Sequence, residues 1–133
     1  MNKLQAIISK VKEQESLYLL ELDASGISLS MLLFDLNPVF SVGNRVSVLF
    51  KETEVMLAKN LTGEISVNNL FKATVTEIHT GVILANVNIH CKAGNIVSII
   101  TMDALERLEL QQNDEITVLI KASQISLEAH HDD

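Results

Sequence analysis

The chain has 133 residues, of which 47% are hydrophobic and 20% charged, and its net charge is -7. These totals describe one ordinary globular domain or two very small ones, not a disordered chain. The acidic balance argues against a nucleic-acid backbone or an anionic lipid surface as partner, since both need clustered Lys and Arg.

The chain opens with MNKLQAIISKVKEQES, whose short apolar runs are broken by Lys10, Lys12 and Glu13. It holds no secretory core, and no run approaches the roughly 20 apolar residues of a membrane span. The single cysteine, Cys91, has no partner for an internal disulfide and fits a reducing compartment. The expected location is the cytoplasm. Residues 1–11 read as a strand with one apolar face. SMLLFD (30–35) follows, then Asp35-Leu36-Asn37-Pro38, and VLFK (48–51) ends in Lys51-Glu52-Thr53. LAKNLTGEIS (57–66) reads as a linker, with Asn60, Thr62 and Gly63 as breakers.

The second half reads mostly as strands: LFKATVTEI (70–78), VILANVNIHC (82–91), IVSIIT (96–101) and EITVLIKASQISL (115–127). MDALERLEL (102–110) reads as a short helix with Thr101 at its N-cap. Aromatics make up only 4% and there is no Trp, so the core is aliphatic. Short strands, turn signals and one short helix point to a small barrel of OB-like type.

The chain also repeats itself. Laid over NNLFKATVTEI (68–78), the start MNKLQAIISKV sets Asn2 on Asn69, Ala6 on Ala73 and Ile8 on Val75. SMLLFD lies over SIITMD (98–103), and Val48-Leu49-Phe50-Lys51 lies over Val118-Leu119-Ile120-Lys121. The predicted fold is therefore mainly all-β: two five-stranded OB-like barrels in tandem, each with at most one short helix. The expected units are 1–59 and 64–128, followed by a flexible tail, 129–133. Halves of about 60 residues are marginal alone, so packing together or dimerising is expected.

Three features of the second copy carry chemistry. Residues 66–69, Ser-Val-Asn-Asn, open it with small polar groups. Thr101 stands at a helix start. Lys121-Ala122-Ser123 ends a strand with an ammonium, a small side chain and a hydroxyl. Directed donors and one positive charge suit a small tetrahedral oxyanion, whatever the net charge of the chain. The plainer alternatives are a lysine snorkelling from a strand end, a threonine that only caps a helix, and ordinary turn residues at 66 and 69.

These residues resemble the molybdate-binding Mop (TOBE) domain family over nearly the whole second half. The family's Ser-Ala-Arg-Asn opening corresponds to Ser66-Val67-Asn68-Asn69. Its Gly/Ala-Thr-Val strand corresponds to Ala73-Thr74-Val75. Its Ile-Thr before a short helix ending Leu-Gly-Leu corresponds to Ile100-Thr101 and Leu108-Glu109-Leu110. Its closing Lys-Ala/Ser-Ser corresponds to Lys121-Ala122-Ser123. The whole chain resembles a tandem, di-Mop protein with a degenerate first copy. There, Leu33 stands for Thr101, almost nothing precedes Asn2, and Glu52 replaces Ala122. The family's arginine is Asn68 here.

The resemblance implies an intracellular protein that binds molybdate or tungstate between packed subunits, for storage, homeostasis or sensing linked to molybdate transport. It implies no catalysis and no organic cofactor. The implied ligand shell is Ser66, Asn68, Asn69, Thr101, Lys121, Ala122 and Ser123, with the first copy giving at most Lys51 or backbone groups. A homodimer or higher homo-oligomer and molybdate transporter components are the implied partners. The rival reading is a Mop-fold interaction module that has lost its ligand. An RNA-binding OB fold fails on charge and on scarce stacking aromatics. His130 and His131 with Asp132 and Asp133 look like metal ligands but read as a solvated tail. No nucleophile elbow, Walker loop or HExxH motif is present.

Overall fold

Strand pairing explains why the sequence repeats. The computed structural model describes residues 1–130. Its first half holds β1 (Asn2–Gln14), β2 (Leu17–Ala24), β3 (Ile27–Phe34), β4 (Arg45–Phe50) and β5 (Met56–Ala58). The second holds β6 (Asn69–Thr80), β7 (Leu84–Cys91), β8 (Gly94–Thr101), α1 (Met102–Leu108), β9 (Glu115–Ile120) and β10 (Ser126–Ala129). Single 3₁₀ turns, Glu52–Glu54 and Ala122–Gln124, precede β5 and β10. The β-branched and aliphatic runs alternate buried and exposed along β1, β7 and β8, as a sheet with one buried face requires.

The strands form two five-stranded antiparallel sheets, ordered β10-β4-β1-β2-β3 and β5-β9-β6-β7-β8. This is the expected mainly β architecture of two curled OB-like sheets in tandem. Each sheet takes its fifth strand from the other half. Ser126 lies opposite Leu49 and Ala129 opposite Val46, while Met56 lies opposite Leu119 and Ala58 opposite Thr117. The halves are thus interlaced, and their buried side chains form one core that includes Leu4, Leu22, Phe50, Val87, Ile96 and Ile120. Burying each such side chain contributes about 1.5–3 kcal/mol.

The exchange corrects two expectations. Leu57 and Ala58 belong to β5, so the linker starts later than residue 57. The single long strand over 115–127 is two strands in different sheets. Ala122-Ser123-Gln124 turns the chain between them, and buried Ile125 anchors the crossing as Val55 does in the first half. The tail reading from 129 also shifts, because Ala129 ends β10 and His130 Nδ1 lies 2.6 Å from Gln5 Oε1. His131, Asp132 and Asp133 lie outside the described residues, and with them most of the metal-ligand reading of the tail. Among the described residues no cluster of His, Cys, Asp and Glu is placed to hold a metal. No helix among them is long and apolar enough to cross a membrane.

The repeat is precise in backbone register. Ile8 pairs with Leu22 as Val75 pairs with Ile89, and a bulge follows each. The bulged residues, Ser9 and Thr76, each donate a hydroxyl hydrogen bond to a carbonyl of the neighbouring strand, of Glu21 and Asn88 respectively. Leu17 pairs with Phe34 as Leu84 pairs with Thr101. Phe34, not Leu33, is therefore the first-half counterpart of Thr101, and Met31, not Ser30, is that of Ser98. Matching the two serines by identity slips the register by one, which would put the third strand's core residues on the wrong face. Met31 and Ser98 are both buried, as shared positions should be.

Candidate functional site

Where β9 ends, the chain turns through Lys121-Ala122-Ser123. This turn and the segment before β6 form an open pocket of about 450 Å³. Ile65, Ser66, Val67 and Asn68 line one wall, and Lys121, Ala122 and Ser123 another. The first half adds Leu32 from β3 and Met56 from β5. Lys121 has extended backbone angles (φ -68°, ψ 142°), and its carbonyl accepts the Gln124 N–H at 3.0 Å. That bond holds the tight turn that presents Lys121 and Ser123 together. Lys121 is the one charged side chain on this lining among the described residues, and no carboxylate shares it.

The pocket gathers five of the seven expected residues: Ser66, Asn68, Lys121, Ala122 and Ser123. Asn69 is not on the lining. It is fully buried, and both polar atoms of its side chain are bonded to Ser30: Oδ1 accepts from Ser30 N at 2.6 Å, and Nδ2 donates to Ser30 O at 2.9 Å. Thr101 is also off the lining. Its Oγ1 accepts the Ala104 N–H at 3.1 Å, which makes it the N-cap of α1, as its position in the sequence predicts. Seven residues make α1 too short to offer an anion site of its own. Beside Thr101 runs an exposed apolar segment, Val82, Ile83 and Leu84, tied to the helix start by a 2.8 Å bond from Met102 N to Ile83 O.

The first half takes part differently from the expectation. Lys51 lines a smaller neighbouring pocket of about 280 Å³ with Met1, Glu54 and Ser126, which shares Ser123 with the larger one. Next to it Glu52, in the place of Ala122, forms a 2.7 Å ion pair with the Met1 ammonium. Hydrogen bonding to that ammonium holds the Glu52 carboxyl below its usual range. A carboxylate beside Lys51 repels an anion. What the first half gives to the larger pocket is Leu32 and Met56, two apolar walls that the sequence did not signal. Their role follows from the strand exchange, which pattern alone does not reveal.

At the far end of α1, Glu109 has left-handed backbone angles (φ 50°, ψ 44°), where a glycine would be unstrained. Lys59 braces this corner, donating to Glu109 O at 2.9 Å and pairing with Asp114 at 3.1 Å. The Gln111 N–H and Lys59 together hold the Asp114 carboxyl below its usual range.

Residues 65–127 match the family model for the TOBE domain. The chain is 36% identical over 64 residues to molybdenum-pterin-binding protein 1 of Clostridium pasteurianum. It is 33% identical over 64 residues to molybdenum-pterin-binding protein 2 of the same organism. Each match spans 47% of this chain and 94% of the relative. Over almost its full length the fold is similar to that of ModG, a cytoplasmic molybdate-binding protein solved with molybdate bound. The TM-score is 0.91 at 24% identity, covering 97% of this chain and 96% of that one.

Proposed function

This chain belongs to the TOBE-domain family that includes the molybdenum-pterin-binding proteins, and on that premise we propose that it binds the molybdate oxyanion in the pocket between residues 65–68 and 121–123. It acts as a binding protein and not as an enzyme. The observation that carries the reading is the company Lys121 keeps among the described residues: two hydroxyls, one amide side chain and no carboxylate, in a chain of net charge -7. Ser66, Ser123 and Asn68 supply directed donors, Lys121 supplies charge, and Ala122 leaves room. Leu32, Met56, Ile65 and Val67 frame these groups with apolar walls. Tungstate has the same shape and charge and is accepted as well. Sulfate carries the same charge, so selectivity against it comes from cavity size and donor positions.

An oxyanion does not fill an open pocket of about 450 Å³. The site is completed when chains pack, and the exposed Val82-Ile83-Leu84 segment beside Thr101 is the surface suited to that packing. Assembly brings a second chain's Thr101 hydroxyl to the anion. We assign the protein to the cytoplasm, in storage or sensing of molybdate that supports its transport. Native mass spectrometry with added molybdate tests this: one anion per chain on a homo-oligomer is the expected result. An assembly that never takes up the anion leaves the interaction-module reading, which the loss of the family's arginine at Asn68 favours.

A further inference from the structure

Two asparagines occupy equivalent positions in the repeat, Asn2 at the start of β1 and Asn69 at the start of β6. Both are buried, 6% and 0% exposed. Each reaches across to the other half with two hydrogen bonds. Asn69 grips Ser30, accepting from its N–H at 2.6 Å and donating to its carbonyl at 2.9 Å. Asn2 grips Val97 in the same way, with both bonds at 2.8 Å. Ser30 lies on β3 and Val97 on β8, the outermost strands of the two sheets. Each asparagine therefore satisfies backbone groups that an edge strand would leave unpaired.

The clasps differ in what they hold. Asn69 directly follows residues 66–68, one wall of the oxyanion pocket. Ser30 stands two positions before Leu32, the wall given by the first half, and in a strand such residues lie on the same face. One side chain thus fixes the spacing between two walls that come from different halves. Neither Asn2 nor Val97, nor any residue within two positions of Val97, lines that pocket.

We propose that Asn69 is a positioning residue of the oxyanion site, setting the approach of residues 66–68 to β3 without touching the anion. Its Oδ1 and one Nδ2 hydrogen are engaged on Ser30, and the side chain is fully buried and off the pocket lining. The proposal rests on the oxyanion reading of the pocket, and it makes Asn2 a matched control: same residue type, same bonds, same burial class, no part in that pocket.

The test compares the Asn69→Ala and Asn2→Ala variants of the full chain in thermal stability, molybdate affinity and backbone NMR order parameters. Asn69→Asp, which keeps the acceptor for Ser30 N–H, replaces the alanine variant if that one does not fold. Both alanine variants are expected to lose stability to a similar extent. Only the Asn69 variant is expected to weaken molybdate binding, by about tenfold, and to lower the order parameters of Val67 and Asn68. Equal weakening in both variants, or unchanged affinity in the Asn69 variant, overturns the proposal. If the unmodified protein binds no oxyanion, the functional reading fails, and the order parameters then decide alone. Lower order parameters at 67–68 in the Asn69 variant only sustain the positioning role, and their absence ends it.

Discussion

Replacing Lys121 with alanine removes the one full positive charge from the pocket lining and leaves the turn's backbone bond from Gln124 N intact. Two unit charges 4 Å apart interact by about 1 kcal/mol in bulk water and by about 4 kcal/mol near a protein surface. The pocket is open, so the lower value governs, and a dianion doubles it to about 2 kcal/mol. Mutational measurements of hydrogen bonds to charged groups, about 1.5–3 kcal/mol, agree. The Lys121→Ala variant is therefore expected to bind molybdate about 30-fold more weakly. Calorimetric titration at fixed ionic strength reads this directly. Raising the salt from about 0.1 M to about 1 M shortens the screening length from about 10 Å to about 3 Å, so wild-type affinity should fall while the variant's changes less. Lys51→Ala is the control, since Lys51 lines a different pocket beside Glu54. An unchanged affinity in Lys121→Ala, or a larger loss in Lys51→Ala, would refute the reasoning.

Further outcomes follow from the same structure. Ala122→Glu copies the first half's Glu52 into the proposed pocket and should abolish molybdate binding while leaving the circular dichroism spectrum unchanged. Glu109→Gly relieves a left-handed residue at the end of α1 and should raise stability by up to about 1 kcal/mol in urea melts. Truncation after Ile125 removes β10, so amide exchange should quicken in β4 and not in β9; equal quickening in both would contradict the strand exchange. Asp114 and Glu52 have folded-state pKa values below their usual ones, so each stabilises the fold above its unfolded pKa, about 4. That contribution is lost as pH falls through the lower folded values. Melting temperature should therefore drop below about pH 4, and Lys59→Met should blunt the Asp114 part.

Strand alternation and turn residues made the two β units legible in the sequence, and the Asn2–Asn69 match gave the correct register for the first strands. Thr101 was legible as a helix cap because its chemistry is local. Ser66, Asn68 and the Lys121-Ala122-Ser123 turn were legible as a set because the family motif holds them in order. Asn69 was expected on the pocket lining and lies buried against Ser30 instead, since a buried asparagine bonded to a distant edge strand has no mark in the linear sequence. The same holds for the strand exchange: β5 has only three residues, and β10 runs on from an apolar strand across a short turn, so neither announces its partner. Leu32 and Met56 escaped notice for that reason, because only the exchange carries them to the pocket. The serine-on-serine match of the third strands misled by one position, where burial and pairing, not identity, fix the register.

The most direct measurement is a calorimetric titration of the intact protein with molybdate, with sulfate and phosphate as controls and the native mass recorded before and after. The account predicts saturable heat for molybdate near one per chain, little for sulfate or phosphate, and a homo-oligomer that carries the anion. Absence of heat for every oxyanion, or equal heat for molybdate and sulfate, would contradict it.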